Sequence, residues 1–117
     1  MKILVSHVNF PAQFRRLVPF LVELGHEVVF LARQFEWHAP RVTGFKLVTY
    51  ELGLKFNSDA LHPYLKRFDS SIAEGQAAYR AATALKETGW YPDVIISHVG
   101  FGNGIFLKDC FPSAKRI

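Results

Sequence analysis

The chain has 117 residues, of which 50% are hydrophobic, 21% charged and 15% aromatic, with a formal net charge of +4. That is one domain's worth of chain with enough apolar content for a core, which excludes a disordered polypeptide; no apolar run approaches the roughly 18 residues of a membrane span. The single cysteine, Cys110, excludes a disulfide framework and a multi-cysteine zinc site, and it fits a reducing, cytoplasmic setting.

Met1-Lys2-Ile3-Leu4-Val5 has the start of a secretory apolar region, but His7, Asn9, Pro11, Gln13, Arg15 and Arg16 interrupt it at once. The bases are scattered, with Arg15-Arg16, Lys66-Arg67 and Lys115-Arg116 as doublets. Nucleic-acid binding wants a basic stripe interleaved with aromatics, so nucleic acid is not an expected partner.

Lys2 to Ser6 is a short β-branched apolar run, the pattern of a strand buried on both faces. A turn, His7-Val8-Asn9-Phe10-Pro11, follows it. Pro11 is expected at a first helical position, with Asn9 or Phe10 at the cap. Phe14, Leu17, Val18, Leu21 and Leu24 then recur at helical spacing, and Gly25 stops the helix. Glu27 to Ala32 reads as the second strand, closing a strand–helix–strand unit of right-handed crossover size.

Residues 33–44 are polar and turn-rich, with Pro40 and Gly44, and a third strand runs from Phe45 to Tyr50. Glu51 to His62 reads as a loop containing Gly53, Asn57, Ser58 and Asp59. From Pro63 a long helix begins, with Leu65, Phe68, Ile72, Gly75, Tyr79 and Ala82 as its expected inner stripe and Gly89 as its end. Val94 to His98 is expected to be a fully buried fourth strand. Gly100, Gly102 and Gly104 punctuate the next turn, and Ile105 to Phe111 forms a short helix. Lys115-Arg116-Ile117 looks like the start of a fifth strand, so the chain is expected to be cut from a longer protein. The alternation defines an α/β fold: a Rossmann-like, doubly wound, mostly parallel sheet.

Ligands of such sheets sit at the carboxyl ends of the strands. Two turns there carry the candidate chemistry, His7–Gln13 and His98–Gly104. The first is expected to lead into a helix N-terminus able to receive a phosphate, or to be a plain capped turn; without a glycine it is neither a dinucleotide fingerprint nor a P-loop. The second, Gly100-Phe101-Gly102-Asn103-Gly104, allows close backbone approach. His98 and His7 suit a base or a hydrogen bond to a sugar hydroxyl, or a satisfied structural role. His7, His26, His38, His62 and His98 show no metal-ligand spacing, so no metal is expected. Cys110 reads as inert packing. Phe10, Phe35, Trp37 and Phe101 fall in loops, where rings stack on sugars, pack on a second domain or anchor the loop.

Met1-Lys2-Ile3-Leu4, His7 to Phe14 and Leu24-Gly25-His26-Glu27-Val28 resemble the opening of family 4 glycosyltransferases of the two-Rossmann-domain (GT-B) type. His62-Pro63-Tyr64-Leu65, Glu74-Gly75-Gln76-Ala77, Pro92 to His98 and Phe106-Leu107-Lys108-Asp109 continue the resemblance, in order, along nearly the whole chain. It looks like the N-terminal domain of a subgroup whose members carry an NFPGQF and an HPGWGE turn. The resemblance implies a retaining hexosyltransferase that uses a nucleotide-sugar as donor substrate, with no cofactor and no obligatory metal. It implies a carbohydrate or lipid-linked acceptor held mainly by this domain, and a C-terminal donor-binding domain absent here, so that the chain alone is inactive.

Carried over by position, His7, Asn9, Phe10, Ala12 and Gln13 would approach the donor phosphates. His98 would lie near the transferred sugar as its catalytic stabiliser, with Gly100, Phe101, Gly102 and Asn103 as substrate-binding neighbours. Ala12 stands where the subgroup has glycine, and Phe101 and Asn103 where it has Trp and Glu, which points to a diverged acceptor or lowered activity. An exposed apolar patch is expected where the second domain docks, and membrane contact is at most peripheral, at the inner face. The rival expectation is a free-standing Rossmann-like module that binds a partner or pairs with a second copy; a flavodoxin-like nucleotide binder would need a first loop that this chain lacks.

Overall fold

The computed structural model describes residues 1–33, 43–53 and 60–117. Five strands, β1 (Lys2–Ser6), β2 (Glu27–Arg33), β3 (Lys46–Tyr50), β4 (Val94–Ser97) and β5 (Lys115–Arg116), form one sheet in the order β3-β2-β1-β4-β5. Every pairing is parallel. The helices are α1 (Leu17–Glu23), α2 (Pro63–Glu87) and α3 (Leu107–Cys110), with a 3-10 turn at Ala12–Phe14. The strand order reverses between β1 and β4, and a crevice opens there at the carboxyl ends of a doubly wound sheet.

The central strands β1 and β2 are apolar on both faces because both faces are covered. Leu4, Val29, Leu31 and Ile95 pack on α2 through Ala77, Ala78, Ala82 and Leu85, and on Leu107, Cys110 and Phe111. Ile3, Val5, Val28 and Phe30 face the other way, onto Phe14 and Val18. Burial of each Leu, Ile, Val or Phe stabilises by roughly 1.5–3 kcal/mol. Cys110 is buried in the first of these layers, as packing.

Four expectations are corrected. First, no helix starts at Pro11. Ala12 takes a positive φ of 47°, a left-handed backbone that no right-handed helix contains, and only a 3-10 turn follows; α1 begins at Leu17, with Arg16 at its cap. Asn9 and Phe10 therefore cap nothing.

Second, the inner face of α2 is Ala73, Glu74, Gly75, Ala77, Ala78, Ala82 and Leu85. Leu65 and Phe68 are 52% and 65% exposed and Tyr79 is exposed too, so of the expected stripe only Gly75 and Ala82 are fully buried. Small residues let the helix lie close: a Cβ on Gly75 would come within 2.9 Å of the Gly102 carbonyl. Third, β4 is fully buried only at Ile95, because its outer neighbour β5 has two residues. His98 lies just beyond β4. Fourth, the short helix is confined to Leu107–Cys110 and is preceded by turns. Phe35, Trp37, Pro40, Asn57, Ser58 and Asp59 lie outside the described residues. Among the described residues no helix is long and apolar enough to cross a membrane.

Candidate functional site

Two turns leave neighbouring strands at the reversal point and bring their histidines together. The His7 amide extends the β1–β2 ladder by donating to the Leu31 carbonyl (3.2 Å), and the His98 amide extends β1–β4 by donating to the Ser6 carbonyl (3.1 Å). The two rings are thereby held with centroids 4.8 Å apart. Phe101 packs on both, at 5.5 Å from His7 and 5.4 Å from His98, and Phe14 meets His7 edge-on.

Both imidazoles are fixed by the same local bond. The Asn9 amide donates to His7 Nδ1 (2.9 Å) and the Gly100 amide to His98 Nδ1 (3.1 Å). A ring that accepts at Nδ1 carries its proton on Nε2 when neutral, so each histidine offers Nε2–H as a donor. Burial, and next the adjacent His98, hold the His7 imidazole below its ordinary pKa.

The glycine-rich turn folds back between β4 and α2. Gly102, at φ 88°, lies so close to α2 that a Cβ would strike the Ser71 carbonyl. A Cβ on Gly100 would strike the His98 ring, and one on Gly104 would strike Ser97 Oγ. Asn103 is fully buried and its Nδ2 donates to Ser6 Oγ (2.7 Å). Its Oδ1 and the Ser97 hydroxyl are buried without a hydrogen-bond partner.

A cleft of about 290 Å³ opens beside this pair of turns. Asn9, Gly100 and Phe101 line one wall and Arg67, Ser70 and Ser71 of α2 the other, with Arg33 and Glu74 beside them. Glu74 is 4% exposed: one oxygen is ion-paired with Arg33, and the other accepts from the Tyr50 hydroxyl (3.0 Å). Burial, and then the neighbouring carboxylate, push the Tyr50 hydroxyl far above its usual pKa, so it stays a donor.

Of the sequence-derived candidates, His7, His98 and Phe101 form one cluster, and Asn9 and Gly100 line the cleft. Gly102 and Asn103 lie beneath it as buried supports. Phe10 points elsewhere, onto Phe30 (4.8 Å) and Phe45 (5.3 Å). Ala12 and Gln13 belong to the 3-10 turn and are not among the residues lining the cleft. Arg33, Tyr50, Arg67, Ser70, Ser71 and Glu74 were not anticipated. A signal was present for Glu74 alone: Glu74, Ala78 and Ala82 share a helical face at i, i+4 and i+8, which puts a carboxylate on the small-residue face.

A parallel sheet with helices on both sides and a cleft at its strand-order reversal defines a Rossmann-like α/β domain, built to hold a ligand at the carboxyl edge. The family model described as "Glycosyl transferase family 4 group" matches residues 24–117. The chain belongs to that family and is a glycosyltransferase domain. The match covers Arg33, all of α2, His98 and the 100–104 turn, and begins after the His7–Gln13 turn. No curated protein matches the chain.

Proposed function

We propose that this domain holds the acceptor of a retaining hexosyltransferase, and that a second domain supplies the nucleotide-sugar donor across the crevice. The observation that supports it most is the convergence of His7, His98 and Phe101 beside an open cleft, at the strand-order reversal of a family 4 domain. Val99, Phe101 and Ile105 expose apolar surface at the same edge, at 83%, 44% and 38%, which suits a docking partner domain.

In this reading the acceptor oxygen bonds to the anomeric carbon on the face from which the nucleotide phosphate leaves. The C–O bond to that phosphate breaks, and the departing phosphate oxygen takes the acceptor's proton. His98, with its proton on Nε2, donates a hydrogen bond that orients the transferred sugar. Phe101 supplies an aromatic face of the kind that sugar rings pack against. The donor is a substrate and no resident cofactor enters. In this reading transfer requires the donor-holding second domain as well as this one.

The test is His98→Ala in the complete enzyme. Transfer should fall by about 10²-fold or more, with the circular dichroism spectrum unchanged and the product's anomeric configuration that of the donor. Undiminished turnover removes His98 from the site, and an inverted product removes the retaining mechanism.

A further inference from the structure

We propose that the cleft between α2 and the glycine-rich turn binds a phosphoryl group carried by the acceptor, through Arg67, Ser70 and Ser71. This rests on the acceptor-domain reading above and adds the chemical class of the acceptor: a phosphorylated polyol or sugar. Residues 67, 70 and 71 are spaced i, i+3 and i+4 on α2, so they share one helical face, and all three line the cleft.

The charge balance of the cleft favours an anion. Glu74 is the one carboxylate among the described lining residues, and both of its oxygens are engaged, by Arg33 and by Tyr50. Arg33 and Glu74 therefore cancel. Arg67 has no ion-pair partner among the described residues, which leaves the described lining one net positive charge. A guanidinium and two hydroxyls together provide donors for several oxygens at once, which suits a tetrahedral phosphoryl group. Asn9, Gly100 and Phe101 on the opposite wall leave the rest of the acceptor next to the histidine pair, where transfer is proposed.

The experiment is an NMR titration of the chain with glycerol 1-phosphate, with glycerol, and with phosphatidylglycerol vesicles, each repeated on Arg67→Gln. Arg67 is exposed, so its replacement leaves the core intact. Saturable shifts at residues 67–71 with glycerol 1-phosphate, none with glycerol, and at least 10-fold weaker binding in Arg67→Gln support a soluble phosphate ester. Arg67-dependent binding to the vesicles alone supports the same phosphoryl site with a lipid-borne acceptor. No binding to either, equal binding of glycerol, or binding indifferent to Arg67→Gln overturns the proposal. The transferase reading is unaffected by any of these outcomes, because it is decided separately by the His98→Ala transfer assay.

Discussion

Asn103 Nδ2 donates to Ser6 Oγ at 2.7 Å, joining the glycine-rich turn to the end of β1 across 97 residues of sequence. Both residues are fully buried, and Ser6 stands in register with Ser97 of β4. The turn carrying Phe101 is thus pinned from below to the end of β1, the strand that leads into His7.

Replacing the pin should loosen the site. Asn103→Ala is expected to destabilise the fold by about 1–3 kcal/mol, read by urea unfolding, since it leaves the Ser6 hydroxyl buried without its donor. Asn103→Asp adds a pH signature. A carboxyl buried there has a folded pKa raised by desolvation above the unfolded value of about 3.9. Its variant should therefore be most stable at low pH and lose stability as pH rises through the folded pKa. A stability curve parallel to the wild type's would disprove the burial argument.

Ala12 is held at φ 47°. A left-handed backbone costs a residue with a Cβ about 1–2 kcal/mol, while a glycine loses more conformational entropy on folding. Ala12→Gly should come out stabilising by roughly 0.5–1 kcal/mol, the net of those two terms. Thermal unfolding would show it as a higher melting temperature. The glycine of the related subgroup is then explained by backbone conformation, with no phosphate contact required.

The Arg33–Glu74–Tyr50 cluster ties α2 to β2 and β3. Tyr50→Phe removes a hydrogen bond to a carboxylate and should cost about 1.5–3 kcal/mol. Glu74→Ala removes the acceptor of both the Arg33 and the Tyr50 bonds and should cost more, on the order of 3 kcal/mol, with the two substitutions combining non-additively. A double-mutant cycle measures this, and simple additivity would mean the three side chains act independently.

His7 should titrate with a midpoint below 6.5, because burial and the facing His98 both disfavour its cation. His98→Gln removes one of those causes and should move the midpoint upward in an NMR titration. The sign for stability follows. Above about pH 6.5 the ring is neutral in both folded and unfolded chains and contributes no pH dependence. As pH falls below that, the unfolded chain binds the proton first, so stability drops until the folded pKa is passed. His7→Gln should flatten that acid limb.

Much of the frame was readable from residues because buried parallel strands announce themselves. Lys2–Ser6 was delimited to the residue, and β2, β3 and β4 to within one position at an end. Helix interiors were harder. Leu65 and Phe68 outweigh alanines in any apolar stripe, yet both stand exposed on the first turns of α2, and the alanines farther along make the contact with the sheet. The first turn was misjudged because helical periodicity from Phe14 onward says nothing about a left-handed backbone at Ala12. The site divides in the same way. Histidines and glycines at strand ends are local signals, whereas Arg67, Ser70 and Glu74 meet the turns only once α2 is laid across the sheet.

The position of β1 bears on how the chain reaches this state. Its Lys2 amide donates to the Asp93 carboxylate, 91 residues along the chain, and β4 completes its second edge. During synthesis β1 can pair with β2 early, but its other edge stays open until β4 emerges. Such long-range parallel pairing slows folding and leaves an unpaired apolar edge in the interim. The histidine pair, one member from each side of that late seam, is therefore among the last features to assemble, so a nascent domain cannot present a formed site before nearly all of it has been made.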